Sequence, residues 1–519
     1  MPQLIQIQLS PQEAKNDLQI KKNIANHLSL TNEGFIYVWK KRSIDARKKN
    51  IKINATFEVF FLNENYQETT FKFQSKDISQ APAIHIIGAG PAGLFAALQA
   101  IESGFKPIVF ERGKDVRERR RDLAKLNKES IVNPESNYCF GEGGAGTYSD
   151  GKLYTRSKKR GNVQKAMEWF VAFGADSNIL VDAHPHIGTN KLPQIIVAIR
   201  EMIIACGGEI YFNSKLTDIH LERNNINGIT INNKNYHSIE HLVLATGHSA
   251  RDIFYLLHQK GIKIEAKAFA LGVRIEHSQN LIDSIQYHGQ LSGELLPPAS
   301  YSLVTQVNGR GVYSFCMCPG GIIAPCATEQ DEVVTNGWSP SKRNNPYSNS
   351  GIVVSIEPED FPNHESNPFV CLEFQKMVEQ RCWEIGGKTQ SVPAQRLLDF
   401  INGKVSEDLP RSSYQPGYEL ADLNEVLPKI ISKNLKKAFL DFGKKMPQFL
   451  SNDAVLHAPE SRTSSPIKIP RDSETLQHLQ IQNLYPCAEG AGYAGGIISA
   501  AVDGMNCVTK IAELKSIEI

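Results

Sequence analysis

At 519 residues and a formal net charge of +2, the chain exceeds one compact domain, and its overall charge points to neither a nucleic-acid nor a membrane partner. A composition of 41% hydrophobic and 22% charged residues excludes disordered and fibrous classes. The start MPQLIQIQLSPQEAK lacks the basic head and apolar core of a signal peptide, Gly and Pro interrupt the apolar runs, and nine cysteines at irregular spacing read as reduced thiols; a cytoplasmic protein without a membrane span is expected.

Residues 1–79 are predicted to form a small α+β domain. LIQIQL alternates like a strand, PQEAKNDLQIKKNIANHL has helical periodicity, FIYVWKKRSI and INATFEVFFL read as further strands, and FQSKDISQAPA makes a polar linker. Residues 80–265 open with AIHIIGAGPAGLFAALQAIESG and KPIVFERG, a strand, glycine turn, helix and strand that begin a doubly wound nucleotide-binding sheet. Within the same span LPQIIVAIREMIIACGGEIYF reads as helix then strand, and HLVLATGHSA as a strand running into a turn. Residues 266–440 change to short strands and polar loops such as NGWSPSKRNNPYSNSG, which predicts an inserted mixed α+β domain that bears the substrate. Residues 441–519 return to the nucleotide fold through LYPCAEGAGYAGGIISAAVDG. The predicted class is therefore α/β, a Rossmann-like domain interrupted by a central insertion and preceded by a small α+β unit.

Gly88, Gly90 and Gly93 form G-x-G-x-x-G, with Ala89, Pro91 and Ala92 between them, directly after the apolar run Ile84–Ile87. The first glycine permits the tight turn, the second admits a pyrophosphate to the backbone, and the third lets helix and strand pack closely. Free N–H groups at the helix start then face the phosphate. Glu111 ends the second strand, where a carboxylate can accept from ribose hydroxyls, and Arg112 is placed to pack against the adenine or its phosphate.

NAD and FAD share this fingerprint, so the later segments decide between them. VLATG, with Ala245, Thr246 and Gly247, resembles the strand and turn that glutathione-reductase-like flavoproteins place near the pyrophosphate. LYPCAEGAGYAGG resembles their C-terminal motif. That resemblance implies that Glu489, followed by Gly490, contacts the ribityl chain, and that the helix beginning near Gly495, Gly496 and Ile497 points its N-terminus at the flavin, where partial positive charge favours a reduced ring. FAD is the expected cofactor. GAGPAG, FGEGGAGTYSDGKLYTR, ATGHSARD, CMCPGG, ESRTSSPIKIPRD and EGAGYAGGIISAAVDG together resemble a largely uncharacterised family of bacterial and plastid FAD-dependent dehydrogenases, over nearly the whole chain. The resemblance implies a fold, a cofactor and an oxidoreductase acting on a small molecule or electron carrier, and it names no substrate.

In related flavoproteins the loop matching Phe140–Arg156 lies beside the isoalloxazine ring, which implies roles there for Gly144, Ala145, Gly146 and Thr147, with Lys152 supplying positive charge. Arg462, followed by Ser464 and Ser465, either binds an acidic substrate bidentately or is a salt-bridged arginine in a turn. His184 and His186 are candidates for general acid and base, with a structural loop role as the alternative. Cys316 and Cys318 are expected as two buried thiols on opposite faces of a strand, with a metal or redox element as the other reading. No H-E-x-x-H or paired C-x-x-C occurs, so no metal site is expected. Outside GAGPAG and the C-terminal motif with GAGYAG, no G-x-G-x-x-G follows a strand elsewhere to mark a separate NAD(P) domain, so electrons should come from the substrate or a transient donor. The basic runs Lys40–Lys49, Arg117–Lys125 and Arg156–Arg160 raise an alternative class, an RNA- or partner-binding flavoprotein (for example in tRNA modification) with structural or sensing FAD. Interspersed acids and the lack of interleaved aromatics favour solvated faces instead.

Overall fold

The computed structural model describes residues 2–30, 34–61, 66–67, 69–155, 161–290 and 292–517. It is a mixed α/β structure with several separate sheets. The N-terminal unit is a three-stranded antiparallel sheet in which Lys52–Phe61 lies between Gln3–Leu9 and Phe35–Asp45. Helix Asp17–Leu28, capped by the Asn16 side chain, lays Ile20 and Ile24 on it against Phe57 and Val59.

Five strands form a wholly parallel sheet in the order Leu484–Pro486, Leu242–Leu244, Ala83–Ile87, Lys106–Phe110, Glu209–Tyr211. A parallel sheet is covered on both faces, which is why its central strand reads as an unbroken apolar run with Ile84 and Ile86 fully buried. Helix Pro91–Glu102 follows that strand and is crossed by the C-terminal helix Ile497–Ile517. A Cβ on Gly504 would lie 2.0 Å from the Ala92 carbonyl oxygen, so this crossing has room for glycine alone. The two ends of the chain's nucleotide fold thus close on each other.

A seven-stranded sheet carries the central region in the order Val304–Val307, Arg310–Cys318, Tyr347–Ile356, Phe269–Ser278, Val455–Glu460, Val392–Arg396, Tyr418–Leu420. Its neighbours are antiparallel except the last pair. Helix Lys429–Lys445 covers it with Ile431, Leu435, Phe439 and Phe442. The strand Val455–Glu460 falls in the span expected for the nucleotide fold, 441–519, yet is hydrogen-bonded within this sheet. VLHAPE, with its proline, lacks the alternation of a strand, because all six residues are buried in the sheet's centre. The chain rejoins the parallel sheet only at Leu484. Among the described residues no helix is long and apolar enough to cross a membrane.

Candidate functional site

The glycine turn is shaped by backbone packing. Gly88 has φ +103°, and a Cβ there would meet the Ala245 carbonyl oxygen at 2.4 Å. A Cβ on Gly93 would lie 1.8 Å from the Gly88 carbonyl oxygen. Gly90 differs: its nearest neighbour would be Gly144 Cα at 3.9 Å, across a gap between two bare backbones. The first and third glycines are therefore required by the protein itself, and the second leaves a channel that a side chain would fill.

That channel opens into a cavity of about 280 Å³. Of the residues expected at the cofactor, Gly88, Gly90, Pro91, Ala92, Glu111, Arg112, Gly144, Ala145, Gly146, Lys152, Ala245, Thr246, Gly247, Glu489, Gly496 and Ile497 line it. Ala89, Gly93, Thr147, Gly490 and Gly495 do not. Ala89 and Gly93 lie beneath the turn, Thr147 Oγ1 donates to the Glu142 carbonyl at 2.7 Å, and a Cβ on Gly490 would lie 2.8 Å from the Gly247 carbonyl oxygen. Gly495 faces solvent.

The buried Glu111 carboxylate accepts from the amides of Ala89 at 2.8 Å and of Gly113 and Gly141 at 2.9 Å, tying the glycine turn to the following loop. Arg112 is committed to the protein: it donates to Glu135 at 2.7 Å and Asp252 at 2.9 Å and lies 4.2 Å above the Phe140 ring. The basic run 117–125 contains a surprise in Arg119. Expected on a solvated face, it is fully buried and donates to the carbonyls of Asn137, Tyr138 and Glu142, each at 2.8 Å. It holds the glycine-rich loop in place. The spacing of Val116, Arg119, Leu123 and Leu126, one face of helix Val116–Glu129, was the available clue. The exposed cations of Lys40–Lys49 are partly paired, Lys40 with Glu58, Arg42 with Asp182 and Arg47 with Asp45. The run Arg156–Arg160 lies outside the described residues.

At the other end, Glu489 Oε1 lies 3.4 Å from His248 Nδ1, a cavity residue that sequence reasoning missed. Lys152 donates to the Met317 carbonyl and stands 3.7 Å from Asp150. Burial opposes its charge, but the thiols of Cys318 and Cys316 and the Asp150 carboxylate outweigh that and raise its pKa. Asp150, 2% exposed, also accepts from Arg343 at 2.9 Å. Burial works against its ionisation, and Lys152 and Arg343 overcome it, holding the carboxyl below its usual range.

Other candidates fall away from the cavity. His186 bonds the Ser341 carbonyl at 3.1 Å, with burial pushing its pKa down, and His184 packs on the Tyr154 ring at 4.9 Å. Neither lines the cavity, so the acid–base expectation is not met there. Arg462 reaches the cavity wall, yet its guanidinium pairs with Glu379 at 2.7 Å and Glu332 at 2.8 Å, which Arg251 also bridges. The salt-bridged reading therefore describes it, and Ser465 is turned to the Ile467 carbonyl. Cys487, Asp503 and Cys507 place ligand atoms within 4.8 Å of one another, but Arg471 occupies Asp503 at 2.7 and 2.9 Å and lies 3.8 Å from Cys507 Sγ, filling the cationic position itself.

The expectation for the cysteines is corrected for the strand faces and, at Cys316, for burial. Residues two apart share a face of a regular strand, so opposite faces did not follow from the spacing. The pairing with Tyr347–Ile356 also slips between Phe315↔Gly351 and Cys318↔Asn349, a bulge at which Cys316 takes φ +46°. Cys318 is buried, but Cys316 is exposed to the cavity.

Residues 268–463 match a family model described as FAD-dependent protein, C-terminal domain-like, and residues 1–60 match a domain of unknown function. Solved structures found similar are distant ones: a tetracycline destructase (TM-score 0.34, 11% identity, 84% of this chain and 83% of that one) and the open conformation of a flavocytochrome c3 fumarate reductase (TM-score 0.34, 11% identity, 83% and 78%). The cofactor is FAD, and the residues fit it, with bare backbone at Gly90 and Gly144, two helix N-termini and the carboxylates of Glu111 and Glu489 lining one cavity. A protein of Clostridium beijerinckii described as uncharacterized is 40% identical over 521 residues, 96% of each chain, and the chain belongs to the same family as that protein.

Proposed function

We propose that the chain is an FAD-dependent oxidoreductase that exchanges a hydride with a small-molecule substrate or electron carrier held against the central sheet. The observation that carries this reading is the shared wall of the cavity. Loops of the parallel sheet form one side, and Phe315, Cys316, Asn336 and Thr463 form the other. FAD, when bound, supplies two-electron chemistry at its N5 position.

The chain's own residues divide the remaining work. Gly90 and the start of helix Pro91–Glu102 would receive the pyrophosphate with backbone N–H groups, while the Gly88 amide donates to the Phe110 carbonyl at 2.8 Å. Glu111 stands at the ribose end and Glu489 at the ribityl end. Gly496, Ile497 and Lys152 would offer positive charge to the flavin ring. Phe315 and the Arg462–Thr463 segment exclude water from the reacting side. In this reading residues 1–79 are a separate unit, 80–265 and the chain after residue 463 bind the cofactor, and the family segment 268–463 bears the substrate.

Anaerobic titration of the purified holoprotein against a metabolite panel, followed by flavin bleaching, tests the reading. At least one organic donor should bleach the flavin fully. NADH and NADPH should act slowly, since the second G-x-G-x-x-G after a strand, Gly490–Gly495, stands on the same parallel sheet as the first and belongs to no separate nucleotide domain; reduction at tens of turnovers per second, an ordinary enzyme rate, would refute that part. A flavin that dithionite reduces and no metabolite bleaches would overturn the whole reading.

A further inference from the structure

The bulge in strand Arg310–Cys318 re-aims side chains toward the cavity, a use to which bulges beside active sites are often put. Cys316 is held in its left-handed conformation from two directions. Its carbonyl accepts from the Cys318 thiol at 3.2 Å and from Arg274 at 3.4 Å. The ammonium of Lys152 donates to the carbonyl of Met317, the residue between the two cysteines. Asp150 completes the group: it lines the same cavity, is 2% exposed, and its Oδ1 meets no hydrogen-bond partner among the described residues. A cavity-facing thiol, a second thiol behind it, a cation and a buried carboxylate with a free lone pair are the parts of a thiol–disulfide exchange site.

We propose that Cys316 and Cys318 are a redox-active dithiol that exchanges with a small disulfide-bearing substrate in the cavity. This rests on the oxidoreductase reading above and names its substrate class. Cys316 is the attacking sulfur, because it is the exposed one. The neighbouring Cys318 thiol, followed by the charges of Lys152 and Arg274, keeps the Cys316 thiol below the usual range. Cys316 releases its thiol proton to solvent, its thiolate attacks one sulfur of R–S–S–R, the substrate S–S bond breaks, and RS⁻ leaves and takes a proton from Lys152, which regains one from solvent. Cys318 then gives its proton to Asp150 and attacks Cys316 Sγ. The second RS⁻ leaves with that proton as the Cys316–Cys318 disulfide closes. In sum, two thiols and one substrate disulfide become one protein disulfide and two RSH. The reverse reaction, two RSH reducing the protein disulfide, resets the pair.

The test uses the full-length FAD-loaded protein, equilibrated with mixtures of reduced and oxidised dithiothreitol or glutathione, acid-quenched and alkylated. Peptide mass then reports the state of each cysteine. The expected result is a single two-electron couple confined to the peptide holding Cys316 and Cys318. Cys318→Ser should accumulate a glutathione mixed disulfide on Cys316. In Lys152→Met, iodoacetamide labelling of Cys316 at pH 7 should slow by about tenfold for each unit its pKa rises. Independent alkylation of both cysteines at every redox ratio, or glutathione on neither residue in Cys318→Ser, would overturn the proposal. Metabolite bleaching of the flavin in the same preparation separates the two ideas. Bleaching without the disulfide removes the dithiol and leaves the oxidoreductase, whereas the disulfide without bleaching by any metabolite leaves an exchange site and removes the oxidoreductase.

Discussion

The parallel sheet and the antiparallel sheet meet at one cavity and are built on different principles. Around the parallel sheet the cofactor side is shaped by backbone: glycines against carbonyls, and a Glu111 carboxylate satisfied by three amides. The antiparallel side is shaped by buried charge. Arg274, fully buried, bonds Glu460 at 2.7 and 3.1 Å and Asn349 at 2.6 Å, and Arg251 and Arg462 share Glu332 and Glu379 behind the cavity. Backbone contact is short-range and unforgiving of a single methyl group. A charge network fixes geometry at long range, and its cost appears only when one partner is lost. Substitutions on the two sides should therefore fail in different ways.

The largest effect is expected at Gly93. Gly93→Val drives a side chain into the Gly88 carbonyl oxygen, 1.8 Å from the Cβ position, and should leave no soluble flavoprotein. Gly90→Val, with 3.9 Å of clearance, should fold and lose FAD. Circular dichroism melts and flavin retention distinguish them, and Gly90→Val unfolding like Gly93→Val would break the comparison. Next is Arg274→Leu, which strands the buried Glu460 carboxylate and should cost about 3–5 kcal/mol in urea denaturation. Adding Glu460→Leu should recover most of that; no recovery would mean that packing, not charge, holds this strand pair.

Glu489→Gln should weaken FAD binding about 10–100-fold, since a charge-assisted hydrogen bond contributes about 1.5–3 kcal/mol. Fluorescence titration of the apoprotein measures this, and an unchanged dissociation constant would move the ribityl chain away from Glu489. The smallest effect is in pH. Burial pushes His277 and His457 of the antiparallel sheet down to about 4 from 6.5, so the stability they give is complete above pH 6.5 and is lost as pH falls toward 4. Burial pushes Glu276 up to about 7 from 4.5, which gives the opposite sign: its contribution is complete below pH 4.5 and is lost as pH rises to 7. Between pH 7 and 5 the two oppose each other. Glu276→Gln should therefore steepen the loss of stability on acidification by about 1–2 kcal/mol, read from urea midpoints at the two pH values.

What the sequence determined by itself was local. The turn Gly88–Gly93, the strand and helix flanking it, and Glu111 at the next strand end were legible because each depends on periodicity and on φ and spacing within one βαβ unit. Gly88, Gly90, Pro91, Ala92, Glu111 and Arg112 line the cavity for that reason, and ten more of its lining residues, from Gly144 to Ile497, were reached through the family resemblance. Tertiary structure decided whatever depends on a partner far along the chain. Arg119 is buried because carbonyls of residues 137, 138 and 142 converge on it, Arg462 is a structural cation because Glu332 and Glu379 lie beneath it, and VLHAPE is a strand because its neighbours in the sheet begin at Phe269 and Val392. Cys316 faces the cavity for the same reason. A bulge is a mismatch of register between two strands, so a strand's own residues do not encode it, and only the pairing of Arg310–Cys318 with Tyr347–Ile356 turns that thiol toward the cavity.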